Sequence, residues 1–232
     1  PETALSNKRF PWLSARKTVL PLGGTSNHFR AASLEAVGGW DPYNVTEDAD
    51  LGVRLARCGY RTETLTLPTL EDAPETLAIW LPQRTRWFKG WLMTWMVHMR
   101  DPVALYRELG PRSFVVLQIL STGLVLSALV HPLLVATGLY LAIGIAFGGP
   151  LGVWQSGLLA IDIANISCGY AAFLAIGWQN MKPAERKGFW RVVAFTPVYW
   201  LMLSAAAWRS LWHLWKRPHH WEKTPHFGAR PV

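Results

Sequence analysis

The sequence predicts an α/β segment followed by a membrane-embedded helical region, and three observations carry that expectation. Charge is partitioned along the 232 residues: 1–112 hold 14 Lys/Arg and 12 Asp/Glu, 113–178 hold only Asp162, and 179–232 hold nine Lys/Arg against two acids. Apolar runs of bilayer length fill the charge-poor stretch. The first half instead alternates short β-rich runs with helical periods, punctuated by Gly and Pro. Only 16% of residues are charged, against roughly 25% in an ordinary soluble domain. A wholly soluble, a disordered and a disulfide-stapled protein are thereby excluded. Cys58 and Cys168 lie in unlike segments and read as free thiols. The net charge of +8 sits mostly beside apolar spans, where it reads as membrane orientation. No basic stripe interleaved with exposed aromatics lies outside the membrane-facing helix, so no nucleic-acid partner is expected.

Residues 1–16 show no clear period. The chain opens without Met or a signal peptide, in mid-pattern, and reads as part of a longer protein. Residues 17–22 (KTVLPL) are partly β-branched and run into Gly23-Gly24, the pattern of a strand entering a tight turn. Residues 31–37 form a short helical stretch stopped by Gly38-Gly39, and Asp41-Pro42 makes a turn. The next helix is well punctuated. Thr46 is a candidate N-cap. Glu47, Asp48 and Asp50 complement its positive end, and Arg54 and Arg57 its negative one. Leu51, Leu55 and Cys58 share one face, and Gly59 suits the position just past the C-cap. Three acids at a helix N-terminus serve capping and dipole stabilisation more often than catalysis. Residues 60–67 (YRTETLTL) read as a second strand.

Residues 83–99, after Pro82, read as an amphipathic helix. At about 100° per residue Phe88, Trp91, Leu92, Trp95 and Met99 share one arc, with Arg86, Lys89 and Arg100 opposite. A Trp-rich face backed by cations suits the headgroup layer, although packing on a soluble core gives the same pattern. Four spans are then expected, over 113–130, 132–147, 154–178 and 192–211. The first two total 35 residues, about 52 Å as one helix against a core of about 30 Å, so a break near His131 is expected. Asp162, Asn165 and Gly169 fall on one stripe of the third span. An interhelical hydrogen bond beside a close glycine contact accounts for them more simply than a substrate path. Four spans put the soluble half and the basic tail together in the cytoplasm, but leave Lys182, Arg186 and Lys187 outside, against the positive-inside rule.

Thr46-Glu47-Asp48, followed 35 positions later by Gln83-Arg84-Thr85-Arg86-Trp87, resembles the TED and QxxRW signatures of the membrane-bound family 2 glycosyltransferases. That group contains bacterial cellulose synthase, hyaluronan synthase and chitin synthase. Gly23-Gly24-Thr25-Ser26 is similar to the small-residue segment lining the acceptor site there, and Gly38-Gly39-Trp40-Asp41 also fits. The likeness is close over residues 19–100 and one of layout beyond. It implies an α/β fold, a partial GT-A glycosyltransferase domain, followed by an interfacial amphipathic helix and an α-helical transmembrane region. The implied boundaries are 1–82 for the GT-A part, 83–112 for the interfacial helix and connector, 113–215 for the transmembrane region, and 216–232 for a cytoplasmic basic tail.

The same resemblance implies site roles. Asp48 is the general base for the acceptor hydroxyl, held ionised by its helix N-terminus. Gln83 and Arg86, with Arg84 as helper, contact the leaving diphosphate. Trp87 stacks under the acceptor sugar, and Gly24, Thr25 and Glu47 complete the acceptor site. By a looser likeness Trp221 and Thr224 belong to a gating segment, for which a basic tail resting on anionic headgroups is an equal explanation. The family's Mg²⁺ or Mn²⁺ and its ligands lie upstream of this sequence. His219, His220 and His226 lack the carboxylate or cysteine partners that would complete a metal site. The implied partners are a nucleotide sugar of the UDP-sugar type, a glycan or lipid-linked acceptor, and the lipid bilayer. The implied place is a bacterial-type inner membrane, with these residues unable to bind donor usefully alone. Two alternatives remain: transfer of one sugar to a lipid carrier, and a non-catalytic membrane scaffold.

Overall fold

The computed structural model describes residues 10–24, 26–65, 73–183, 185–220 and 222. They form helices joined by turns and segments without regular secondary structure. In chain order these are α1 (Phe10–Ala15), α2 (Ala31–Ala36), α3 (Glu47–Arg57), α4 (Leu77–His98), α5 (Pro102–Gln118), α6 (Leu124–Gly148), α7 (Val153–Asn180) and α8 (Phe189–Lys216). A π-helical turn, Ile119–Gly123, joins α5 to α6, and a 3₁₀ turn, Glu185–Gly188, precedes α8. The chain divides into two compact units, one of residues 9–125 and 205–232, the other chiefly of residues 126–204.

The α/β expectation is corrected here, since the described residues contain no β-strand. Residues 18–22 adopt no regular secondary structure, and no segment among the described residues pairs with them as a strand. Pro21 offers no N–H, and the Val19 N–H donates instead to Ser113 Oγ at 3.2 Å. Residues 61–65 likewise run without a ladder, and the rest of that expected strand, 66–67, lies outside the described residues. A strand is stable only beside a partner that accepts and donates along its edge.

What takes the place of a sheet in the first unit is a helical platform. Val19, Val53, Leu105 and Leu117 form its buried core, with Met99, Phe114 and Val116 packed around it. The segment 18–22 lies directly against α3 at Gly52. A Cβ placed there would stand 2.5 Å from the Leu20 carbonyl oxygen, so this position admits no side chain. Gly59, at φ 78°, closes α3 in the left-handed region, as its place after Cys58 predicts. Cys58 itself is exposed.

Helix α4 begins at Leu77, six residues before the expected start, and carries Pro82 inside it. Its burial also differs from the amphipathic reading. Phe88 is buried, but so are Arg84, Thr85, Lys89, Thr94 and His98, the last two through hydrogen bonds to Asn44 and to Asp50 of α3. Helix α5 is capped by the Asp101 carboxylate, which accepts from the Ala104 N–H at 2.9 Å. It breaks at Gly110 (φ 73°, ψ 166°), and Pro111 opens its second arm. Trp95 Nε1 donates to Gln118 Oε1 at 2.7 Å, tying α4 to the helix that continues into the apolar region.

Among the described residues three helical stretches, rather than the four expected, are long and apolar enough to cross a membrane: Pro102–Gly148, Val153–Asn180 and Arg186–Lys216. The break expected near His131 does not occur. Pro132 sits inside α6, where a membrane helix tolerates it. The histidine before it is buried and hydrogen-bonds the Tyr170 hydroxyl through Nε2 at 3.1 Å. Within the second unit that pair joins Trp200, whose ring lies 5.6 Å from the His131 ring. Asp162 is buried beside Gly138, where an added Cβ would lie 3.9 Å from the Asp162 Cβ. The close glycine is therefore Gly138 rather than Gly169, which is exposed along with Asn165.

Gly52→Ala is expected to destabilise the first unit by about 1–3 kcal/mol through overpacking against the Leu20 carbonyl. The apparent Tm of the purified protein measures this, and an unchanged Tm would contradict so close a contact.

Candidate active site

The residues singled out in the sequence lie mainly on the N-terminal turn of α3 and on α4, and a second glycine brings these elements together. A Cβ built on Gly90 would fall 2.2 Å from Thr46 Oγ1, so the α4 backbone at Gly90 lies directly against the Thr46 side chain at the start of α3. Thr46 does not act as the expected side-chain cap. Its N–H donates to Asn44 Oδ1 at 3.1 Å, and Asn44 Nδ2 donates to Thr94 Oγ1 at 2.9 Å. All three side chains are buried, and this chain of polar contacts fixes α4 on the loop that precedes α3.

Glu47 and Asp48 follow Thr46 and stay partly accessible. Asp48 Oδ1 accepts from the Ala49 N–H at 2.8 Å. Its other oxygen faces Gly24, where an added Cβ would come within 3.3 Å. The predicted acceptor segment and the predicted base thus meet. The expectation that the helix end depresses the Asp48 pKa is corrected. Burial pushes the carboxyl above its ordinary 3.8 and Glu47 adds to the rise, while the Ala49 N–H and Arg86 pull it back. Arg86 is half-buried between opposing influences: burial lowers its pKa, and the negative charges of Glu47 and Asp48 raise it.

Gln83 lies three residues before Arg86 on α4, and its Oε1 is buried with no hydrogen-bond partner among the described residues. Arg84 is 6% exposed, and its guanidinium lies over the Trp87 ring at 4.0 Å and the Trp80 ring at 5.6 Å. A cation held this way stiffens the indole against which it rests. Trp87 is 40% exposed and presents an open aromatic surface. Thr25, Trp221 and Thr224 lie outside the described residues.

His98, and the buried roles of Asp50 and Lys89, were missed in the sequence. Asp50 is buried under the first turn of α3 and accepts from His98 Nε2 at 3.0 Å and Arg54 Nε at 2.7 Å. Arg57 Nη1 donates to His98 Nδ1 at 3.0 Å, so the hydrogen on this ring sits on Nε2. Burial alone would raise the Asp50 pKa, but the His98 and Arg54 hydrogen bonds outweigh it and hold the carboxyl below 3.8. The Asp50–Arg54 spacing of four was a visible signal. His98, 48 residues away, offered none. Lys89, assigned by sequence to the cationic outer face, is 2% exposed. Its Nζ donates to the carbonyls of Arg217 at 2.7 Å and His220 at 2.9 Å. Arg209 pairs with Glu222 through two hydrogen bonds and holds the same stretch. Burial lowers the Lys89 pKa, partly offset by Glu222.

The described residues contain no group of three or more His, Cys, Asp or Glu able to hold a metal ion. Chemically, the arrangement offers a carboxylate of raised basicity beside a small-residue segment, a cation within its electrostatic reach, and a flat aromatic surface.

A family model described as Glycosyl transferase family group 2 matches residues 6–215. Among curated proteins the chain is 34% identical over 83 residues to Probable glycosyltransferase YdaM of Bacillus subtilis, covering 35% of this chain and 19% of that one. It is 32% identical over 177 residues to the beta-monoglucosyldiacylglycerol synthase of Synechocystis, covering 73% of this chain and 33% of that one. It is 40% identical over 68 residues to the cellulose synthase catalytic subunit [UDP-forming] of Xanthomonas axonopodis pv. citri, covering 29% and 9%. The chain thus spans a third or less of the length of these relatives. No solved structure matches it significantly.

Asp50 has a depressed folded pKa, so the stability it contributes is complete above pH 3.8 and is lost as pH falls through that lower value. Asp50→Asn is expected to cost about 3 kcal/mol at neutral pH and to flatten the acid limb of stability. Denaturation midpoints of both proteins from pH 7 down to pH 3 check the sign. A variant that keeps the parent's acid sensitivity would count against the Asp50–His98 contact.

Proposed function

The chain belongs to glycosyl transferase family group 2, and from that membership we propose that it takes part in inverting glycosyl transfer from a nucleotide-diphosphate sugar. The donor in this reading is a UDP-sugar, and the acceptor is a hydroxyl of a growing polysaccharide or glycan. The reaction lies at the cytoplasmic face of a bacterial-type inner membrane. The three long apolar helices support the membrane setting.

The observation that carries the reading is the meeting of Gly24, Asp48 and Arg86. The acceptor hydroxyl approaches over the Gly24 segment, where the missing side chain leaves room beside Asp48 Oδ2. As its oxygen bonds to the anomeric carbon, its proton passes to the Asp48 carboxylate. The bond from that carbon to the diphosphate oxygen breaks, and the electron pair leaves with the nucleotide. Arg86 and the Gln83 amide stabilise the charge growing on the diphosphate. Arg86 lies close enough to Glu47 and Asp48 to sense both charges, which keeps the cation at the reacting centre. Trp87 stacks on the C–H face of the acceptor sugar, and Arg84 holds its ring in place. Glu47 accepts from acceptor hydroxyls and, as a neighbouring negative charge, raises the basicity of Asp48. No ligand set for the divalent cation implied by the resemblance is found among the described residues.

A second reading, transfer of a single sugar to a lipid, is favoured by one observation. The relative named beta-monoglucosyldiacylglycerol synthase aligns over 73% of this chain, whereas the cellulose synthase relative aligns over 29%. Product size after incubation with a labelled UDP-hexose panel separates the two: a ladder or polymer against one lipid-soluble product.

With the native-length protein, Asp48→Asn is expected to lower kcat by roughly 10²- to 10⁴-fold while UDP binding stays nearly unchanged. Retained turnover, or lost UDP binding, would remove Asp48 from the role of base. The acid limb of the pH–rate profile should lie above the ordinary carboxyl value of 3.8, and Glu47→Gln should move it to lower pH. A limb that stays in place would mean that Glu47 does not act on the titrating group.

A further inference from the structure

A cavity of about 800 Å³ opens in the first unit between α1 and the second arm of α5, away from the residues of the candidate active site. Arg16 and Lys17 enter it from the turn after α1, and Arg112 enters it from the opposite wall. We infer that this cavity binds the phosphate headgroup of an anionic membrane phospholipid.

Three features specify that occupant. The first is charge. The lining holds three cations and no acid, and none of the three forms an ion pair with a described residue. Three like charges around one opening repel each other until an anion enters, and a phosphodiester answers Arg and Lys together. The second is the apolar remainder. Trp12, Val115 and Val116 line the same space, and Val115 is 53% exposed on the arm that runs on into the apolar helix. Pro111 opens that arm, so the cations stand where the chain enters the hydrocarbon, at headgroup level, and the valines stand where an acyl chain begins. A free phosphate would leave this apolar wall unused. A neutral diacylglycerol would leave the cations unanswered.

The third feature is that the walls are already held in place. Arg16 rests over the Trp12 ring at 4.3 Å. Lys17 adopts φ 55°, a left-handed conformation rare for a side-chain-bearing residue, and this turn brings consecutive cations to one cavity. The Val19 N–H donates to Ser113 Oγ, which joins the two walls just past Lys17 and Arg112. Little ordering therefore remains to oppose binding.

The test uses the native-length protein in detergent, equilibrated with equal amounts of phosphatidylglycerol and phosphatidylcholine, with retained lipid read by native mass spectrometry. One phosphatidylglycerol should be retained, preferred over phosphatidylcholine by about tenfold or more. The exposed triple variant Arg16→Gln/Lys17→Gln/Arg112→Gln should lose that preference, while Arg16→Lys/Arg112→Lys, which keeps the charge, should retain it. A Gln variant that still prefers phosphatidylglycerol, a Lys variant that does not, or a parent protein indifferent to headgroup charge would overturn the proposal. Displacement of the lipid by millimolar inorganic phosphate would also overturn it and identify a free-phosphate site instead.

Discussion

The contact between Gly90 and Thr46 is the constraint on which the arrangement around Asp48 rests. Helices that carry ordinary side chains at their crossing stand about 8–10 Å apart. Glycine at position 90 lets the α4 backbone lie against the Thr46 side chain, and the buried polar chain of Thr46, Asn44 and Thr94 makes that closeness stable rather than merely allowed. Asn44 satisfies the Thr46 backbone and reaches Thr94 with its amide hydrogens. Burying these groups costs little only while each contact persists. Rotation of α4 would break these contacts and carry Arg86 and Trp87 away together, so the motif on this helix behaves as one rigid unit.

Beneath that contact, α3 is held by charge. Asp50 lies between His98 of α4 and Arg54 of its own helix, and Arg57 completes the chain through the imidazole. Asp48, two residues earlier, has a different fate: it is partly buried with a like charge beside it, and the Arg86 charge offsets only part of the rise. Two neighbouring carboxyls are therefore shifted in opposite directions. One is locked as an ionised structural anchor, and the other is left with raised basicity at an accessible edge. The distinction comes from what α4 presents to each.

Legibility followed locality. Helix α3, its acidic first turn and its Gly59 stop were readable because every signal lies within a dozen residues, and α7 was readable from its apolar length. The two expected strands do not form, because residues 18–22 and 61–65 carry a strand's composition but meet no partner strand among the described residues. The uninterrupted α6 was misread because a His-Pro pair looks like a turn until Tyr170 is seen to bond the histidine. In the site, Glu47, Asp48, Arg86 and Trp87 were named from a motif and are assembled around α3 and α4. Gly52, Gly90 and His98 depend on partners 30 to 50 residues distant, and a single sequence holds no trace of such distances. Lys89 was misassigned for a similar reason, as helical periodicity cannot tell water from a buried carbonyl.

The Lys89 ammonium also imposes an order on biosynthesis. Its acceptors, the carbonyls of Arg217 and His220, are translated 128 and 131 residues after it. At about 5–20 residues per second, α4 leaves the ribosome many seconds before its lysine has anything to bond. During that interval α6, α7 and α8 must be made. The Lys89 bonds of the helix carrying the Gln83–Trp87 motif therefore form only after the last apolar helix has been made. A chain that stalls midway would leave the Lys89 ammonium without these acceptors.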